Sequence, residues 1–178
     1  MEFYQTLMAR SSVRSYEDRP IPRELLARLL EAAREAPSAN NLMPWRLVLV
    51  SDPAARAELA RGGPYAKFLD QCPLVVVGAG DQARSPEWYE VDTTIALEHL
   101  ALAASAEGLG SCWVGSFDEA MVRRLVGLPA AYKVVSLLAL GYPRARVDLL
   151  KLASHLIHPT KKLQDLVSEG SFDRPWQA

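Results

Sequence analysis

Apolar residues recur at helical spacing in several parts of the chain. The clearest amphipathic helix is predicted over residues 23–34, where Pro22 suits the first turn. Its apolar face consists of Leu25, Leu26, Leu29, Leu30 and Ala33. A longer helix is predicted over 87–107, apolar on most sides and followed by Gly108 as a C-terminal cap, which places it in a core or an interface. Further helices are predicted over residues 2–9, 54–61, 65–69, 119–126, 147–156 and 162–167.

Short apolar runs rich in β-branched residues predict four strands. They cover residues 45–50, 74–77, 112–114 and 133–140. The second strand is expected to stop at Gly78-Ala79-Gly80, and the Pro- and Asn-rich stretch 37–41 is expected to be a loop. Without an internal repeat or a linker, the pattern predicts one α+β domain over 1–178, a sheet covered by helices.

Composition and charge narrow the class of protein. The 178 residues carry 20 Lys and Arg against 21 Asp and Glu, with no basic stripe of the kind that nucleic-acid binders show. The first residues lack a basic and apolar leader, and no apolar stretch is long enough to span a bilayer, so a cytoplasmic location is expected. Cys72 and Cys112 are expected to be buried apolar residues, not a disulfide pair.

Residues 10–15, RSSVRS, form the first candidate site. Two arginines four positions apart, with hydroxyls between and beside them, are a cluster of hydrogen-bond donors suited to an anion. The alternative is an exposed basic turn.

Two further segments carry candidate chemistry. The loop over 36–45, APSANNLMPW, offers amides that both donate and accept, as recognition of a heterocycle edge requires, and its alternative is a capped Asn/Pro turn. The glycines in 108–116 would let a ligand approach the backbone closely, and the alternative there is a tight connection between core elements.

Other motifs favour structural interpretations. GAGDQA at 78–83 matches a dinucleotide fingerprint by letter, but the following residues 83–86 are predicted to be a loop, so no helix opens at the glycines. His155 and His158 have no Cys or acidic partner at ligand spacing, so no metal site is predicted. No hydrolase, metalloprotease or P-loop motif is present.

In order and spacing, four segments resemble the nitroreductase family of flavin enzymes. They are RSSVRSY at 10–16, APSANNLMPW at 36–45, GLGSCWVG at 108–115 and LGYP at 140–143, and the resemblance spans about 3–167. It implies an α+β fold with a central, mainly antiparallel sheet, FMN as the cofactor, and an intertwined homodimer with both sites at the subunit interface.

The resemblance also implies roles for individual residues. Arg10, Ser11, Ser12 and Arg14 would hold the FMN phosphate and the polar edge of its ring system. Pro37, Ser38, Ala39 and Asn41 would come from the other subunit and pack on the flavin. The segment Trp113, Val114 and Gly115 would lie against the flavin and offer a backbone N–H toward N5. Lys67 would lie near the pyrimidine, and Lys161 or Lys162 would complete the phosphate site.

The activity implied by the resemblance is transfer of a hydride from NADH or NADPH to flavin N5 and then to an oxidised acceptor such as a nitroaromatic or a quinone. No side chain is predicted to be catalytic, because the cofactor carries the electrons. The alternatives are a specialised relative, either a reductive dehalogenase or a flavin-modifying enzyme, and a flavin-binding protein without turnover. Met43 stands where the family commonly has glutamine, and the cap over the flavin is expected to be reduced to residues 81–89.

Overall fold

The computed structural model describes residues 2–144, 157 and 159–176, and the chain divides into two compact units, 1–146 and 147–178. The single domain over 1–178 therefore stays a prediction. The predicted helix over 147–156, with His155, and His158 beyond it lie outside the described residues. In the second unit, the helix predicted over 162–167 is shorter than expected: it is a single 3-10 turn, Leu163–Asp165, closed by a hydrogen bond from Leu166 N–H to the Leu163 carbonyl at 3.0 Å.

A four-stranded antiparallel sheet forms the centre of the first unit. Its strands are β1 (Trp45–Val50), β2 (Leu74–Asp81), β3 (Gly110–Val114) and β4 (Tyr132–Gly141), in the order β1-β2-β4-β3. Every neighbouring pair is antiparallel, which confirms the predicted α+β fold with a mainly antiparallel sheet. β3 lies at an edge of the sheet, and its outer side forms an isolated parallel bridge with Ser12.

Five helices surround the sheet: α1 (Phe3–Ala9), α2 (Arg23–Arg34), α3 (Pro53–Arg61), α4 (Tyr89–Ala106) and α5 (Glu119–Val126). α2 and α5 have the predicted bounds. The helix predicted over 65–69 is instead a 3-10 turn, Lys67–Asp70. Gly108 follows α4 with a φ of 78°, and Leu109 N–H donates to the Ala104 carbonyl at 2.8 Å, as the predicted glycine cap requires.

The predicted end of the second strand at Gly78-Ala79-Gly80 is wrong, because β2 continues through both glycines. A Cβ at Gly78 would lie 2.5 Å from Leu97 Cδ1, and a Cβ at Gly80 would lie 2.7 Å from Tyr89 Cδ2. The glycines therefore let α4 pack directly on the strand. The phosphate loop suggested by the letters GAGDQA is absent here, since Asp81 Oδ1 instead caps the turn by accepting from the Ala83 and Arg84 amides at 3.0 and 3.1 Å.

Alternating side chains of the sheet contribute to two separate apolar clusters. One joins Val75, Val77, Leu137 and Ala139 to residues of α3 and α5. The other joins Leu74, Val76, Leu138 and Leu140 to α2 and α4. Because successive strand residues point to opposite faces, the sheet lies between two layers of helices.

Cys72 and Cys112 are both buried and form no disulfide, as predicted. Burial raises the pKa of the Cys72 thiol to about 12 and raises the pKa of the Tyr16 hydroxyl above its usual value. As the pH rises, the unfolded chain therefore loses these protons before the folded chain does, from about pH 8.5 for the thiol and about pH 10 for the phenol. Ionisation of the unfolded state at high pH therefore favours unfolding.

We expect no contribution from these two groups to the pH dependence of stability below about pH 8. Above about pH 9, the free energy of unfolding should fall by up to about 1.4 kcal/mol per pH unit for each group. Urea unfolding at about pH 7, 9 and 10.5 measures this slope, and Cys72→Ala should make it shallower. Equal stability at pH 7 and pH 10.5 would contradict the burial of both groups.

Candidate active site

The basic segment around residues 10–17 lies against the edge strand β3 and the end of β4. Ser12 forms a parallel bridge with Ser111, and Val13 N–H donates to the Ser111 carbonyl at 2.9 Å. Further along, Arg144 N–H donates to the Ser15 carbonyl at 3.0 Å. Backbone hydrogen bonds therefore fix this half-buried segment against the sheet, and its role as an anion site stays a prediction.

Two glycines make this docking possible. A Cβ at Gly110 would lie 2.7 Å from Val13 Cγ2, and a Cβ at Gly141 would lie 2.9 Å from Tyr16 Cδ1. Tyr16 also donates from its hydroxyl to the Val13 carbonyl at 2.5 Å and stacks on Phe68, with ring centroids 6.5 Å apart. The position of the basic segment thus depends on the close packing of Val13 and Tyr16 on these two glycines.

The basic segment and the glycine-rich segment together line one cleft of about 220 Å³, which we call the arginine cleft. It is lined by Ala9, Arg10, Ser11, Val13, Ser105, Gly108, Leu109, Gly110, Ser111 and Pro143. The Ser111 hydroxyl is buried without a hydrogen-bond partner among the described residues. An arginine, hydroxyls and glycine backbone on one wall are donors of the kind that bind a phosphate.

The loop after α2 has an unusual backbone. Asn40, Asn41 and Met43 have φ values of 50°, 55° and 44°, and each such conformation costs of order 1–3 kcal/mol for a residue other than glycine. Ala39 N–H donates to the Asp92 carboxylate at 3.2 and 3.3 Å, and Met43 N–H donates to Ser38 Oγ at 2.9 Å. Strain of this kind clusters at functional sites, where the surrounding structure holds it in place.

This loop borders a second cleft, of about 290 Å³, which we call the loop cleft. It is lined by Pro37, Ser38, Ala39, Trp88, Val91, Asp92 and Ile95. Trp88 belongs to the stretch 81–89 predicted as a reduced cap and is half exposed, at 50%. The lining is mainly apolar with one buried carboxylate, so it suits a flat apolar group.

The structure therefore sorts the predicted site residues into groups. Arg10 and Ser11 line the arginine cleft, with Ser12 paired beside it, and Arg14 follows in the same docked segment. Pro37, Ser38 and Ala39 line the loop cleft instead, and Asn41 is exposed on the same loop. Neither the arginine cleft nor the loop cleft contains residues of both groups.

The other predicted contacts are distributed around the end of β3 and the 3-10 turn. Trp113 is half-buried against the α2 and α4 cluster, Val114 is buried, and Gly115 is exposed immediately after the strand. Lys67 is exposed at the start of the turn whose Phe68 stacks on Tyr16. Lys161 and Lys162 lie in the second unit, and their contact with the phosphate stays a prediction.

Sequence reasoning missed two residues of these clefts. Ser111 lay inside the quoted glycine-rich segment but was not singled out, and only its burial beside Arg10 draws attention to it. Asp92 was also missed, although a carboxylate at the start of an otherwise apolar helix is a visible signal.

The described residues contain neither a candidate metal site nor a candidate membrane-spanning helix. Among residues 2–144, 157 and 159–176, no group of three or more His, Cys, Asp or Glu is placed to bind a metal ion. In the same part of the chain, no helix combines the length and the apolar character that a membrane crossing needs.

The antiparallel α+β fold is matched by known proteins. Residues 7–62 and 60–142 match the model of the Nitroreductase family, and the chain belongs to that family. The resemblance predicted from the four sequence segments is thereby confirmed.

Three similar proteins indicate what the family does. A relative from Archaeoglobus fulgidus, named "Putative NADH dehydrogenase/NAD(P)H nitroreductase", is 32% identical over 83% of this chain and 88% of its own length. A relative from Rhodospirillum rubrum, named "5,6-dimethylbenzimidazole synthase", is 33% identical over 76% of this chain and 79% of its own. A solved structure of an "FMN-dependent Nitroreductase" from Clostridium difficile has a TM-score of 0.73 and 26% identity, covering 88% of this chain and 98% of its own.

Proposed function

We propose that this protein is an FMN-dependent oxidoreductase of the nitroreductase type that uses NADH or NADPH as its electron donor. Bound FMN would supply two-electron redox chemistry, passing a hydride from the nicotinamide to an oxidised acceptor such as a nitroaromatic or a quinone. The observation that carries the proposal is the arginine cleft, which Arg10 and Ser11 line together with the glycine-rich segment around Gly110.

The donors of the arginine cleft fit the phosphate end of FMN. Arg10 would form charge-assisted hydrogen bonds to phosphate oxygens, while Ser11 and Ser12 would add neutral donors. Arg14 would add to the positive charge around the phosphate.

The ring end would be held by residues that line the loop cleft and not the arginine cleft. We propose that the partner subunit of a homodimer supplies Pro37, Ser38, Ala39 and Asn41 to the flavin. This assignment is supported by the strained backbone of the loop and by the apolar cleft beside it. In the same site, the Lys67 ammonium would stabilise negative charge on the reduced ring and so raise its reduction potential.

A homodimer is also supported by the surface of the first helix. Phe3, Tyr4, Leu7 and Met8 of α1 are all exposed, Met8 at 87%, and apolar side chains crowded on one short helix are typical of a covered interface. Sedimentation should show a dimer at micromolar concentration, and a stable folded monomer would contradict the shared site.

The cofactor assignment is tested by adding FMN to the cofactor-free protein and following quenching of the flavin fluorescence. Saturable binding of one FMN per chain is the expected result. Riboflavin, which lacks the phosphate, should bind much more weakly, because Arg10 and the serines would have nothing to hold. No uptake of FMN by the folded protein would overturn the proposal.

Gly115 offers a test of the contact with the flavin ring. Among the described residues, no atom lies within 4 Å of a Cβ at this position, so Gly115→Ala should fold normally and be as stable as the wild type or slightly more so. If the flavin lies against this backbone, the added methyl should weaken FMN binding by about tenfold, the effect of roughly 1.4 kcal/mol. Thermal unfolding without FMN and the FMN titration measure the two effects separately, and unchanged FMN affinity would place the flavin elsewhere.

A second candidate is a reaction that modifies the flavin itself. It is favoured by the relative named "5,6-dimethylbenzimidazole synthase", whose identity to this chain equals that of the nitroreductase relatives within a few per cent. Incubation with reduced FMN and oxygen, followed by mass analysis, distinguishes the two: intact FMN after many turnovers supports the nitroreductase type, and consumption of FMN supports the second candidate.

A further inference from the structure

Asp92 is a buried carboxylate that touches the strained loop. The residue is 3% exposed and lies in the first turns of α4, fifty-three positions after Ala39 in the chain. Both of its carboxylate oxygens accept from the Ala39 amide, at 3.2 and 3.3 Å. Burying a carboxylate away from water costs free energy, so we expect Asp92 to have a specific role.

The Ala39 amide is placed where it can control the whole loop. It begins the 3-10 turn Ala39–Asn41, and the three residues with positive φ follow within four positions. The Leu42 amide donates back to the Ala39 carbonyl at 3.0 Å, so the residue held by Asp92 also closes the turn. Ser38 Oγ is the second side chain that holds this loop, through the Met43 amide.

We propose that Asp92 is a positioning residue: by accepting from the Ala39 amide, it holds the 38–43 loop in the conformation that packs on the flavin. That Asp92 holds the loop depends on this chain's own hydrogen bond. That the held loop packs on the flavin rests on the proposed function, since it takes the loop to contact FMN. Asp92 lies in the first turns of α4, where the helix dipole favours a negatively charged side chain.

Two substitutions at Asp92 separate hydrogen bonding from charge. Asp92→Asn keeps an acceptor oxygen and removes the charge, whereas Asp92→Ala removes both. Asp92→Leu fills the space without an acceptor and replaces the alanine variant if that variant fails to fold. Thr93→Val is the matched control, because Thr93 is buried on the same helix and its hydroxyl has no partner among the described residues.

The first readout is amide hydrogen exchange of the protein without FMN. Exchange at Ala39 should be about tenfold or more faster in Asp92→Ala, and within about threefold of the wild type in Asp92→Asn and Thr93→Val. The Val76 amide in the central strand β2 serves as an internal reference for global opening. Unchanged Ala39 exchange in Asp92→Ala would overturn the proposal, as would an asparagine variant that behaves like alanine.

The second readout is the binding of FMN and the visible circular dichroism of the bound flavin. Asp92→Ala should raise the dissociation constant about tenfold and change the dichroism, and Asp92→Asn should restore both. Faster exchange at Ala39 with unchanged FMN affinity would overturn the second half of the proposal. A wild-type protein that takes up no FMN would overturn the proposed function, and the exchange data would then decide the role of Asp92 by themselves.

Discussion

Replacing Arg10 by alanine is expected to raise the dissociation constant of FMN by about 10- to 150-fold. The change removes a guanidinium from the arginine cleft, and a charge-assisted hydrogen bond to phosphate contributes about 1.5–3 kcal/mol. Arg10 is half-buried at the end of α1, so the fold should survive its truncation. Fluorescence titration with FMN and, in parallel, with riboflavin measures the effect.

The titration with riboflavin shows whether the loss of FMN affinity comes from a lost contact with the phosphate. Arg10→Ala should bind riboflavin as the wild type does, because that ligand never engaged the guanidinium. Arg124→Ala is the control for net charge: its side chain is exposed on α5 and pairs at 3.2 Å with Glu58, on the surface. FMN affinity unchanged in a folded Arg10→Ala protein would show that the phosphate lies elsewhere.

Gly110→Ala is expected to damage both stability and cofactor binding. The added Cβ would lie 2.7 Å from Cγ2 of Val13 and 2.8 Å from its Cβ, so the docked segment must move away from β3. Overpacking of this kind costs about 1–3 kcal/mol, which corresponds to a fall in Tm of roughly 2–12 °C for a chain of this size. Since Arg10 and Ser11 belong to the displaced segment, FMN affinity should fall as well.

Calorimetry and the FMN titration of Gly110→Ala are best compared with Gly115→Ala. Both variants add one methyl group near the same strand, but only the first meets a neighbour within 4 Å. A loss of stability confined to Gly110→Ala would support the docking of the basic segment on the edge strand. Wild-type stability and affinity in Gly110→Ala would contradict it.

The elements best predicted from the sequence are those whose signals are local. α2 combines an apolar face with Pro22 before its first turn, and α5 is bounded by the Asp118 cap and by Gly127 with a φ of 63°. Period and caps are enough to define such helices. The predicted end of β2 came too early because glycines are local signals for the end of a strand. Gly78 and Gly80 instead allow the packing of a helix that comes later in the chain.

The candidate site was predictable to the extent that its residues cluster in sequence. The segments 10–16 and 108–115 carry recognisable donors and glycines, and the structure joins them in one cleft. The hydrogen bond from Ala39 to Asp92 spans fifty-three positions, so no local pattern reports it. The positive φ values of Asn40, Asn41 and Met43 likewise depend on such distant contacts, because these residue types do not require that backbone.

The most direct test of the central claim is an anaerobic visible spectrum of the FMN-loaded protein, recorded before and after addition of NADH or NADPH. An FMN-dependent oxidoreductase should show the two flavin absorption bands, and both should bleach when the nucleotide is added. Bleaching that reverses on addition of a nitroaromatic or a quinone would complete the predicted cycle. Flavin bands that persist with both nucleotides would contradict the account, leaving a protein that binds flavin without turning it over.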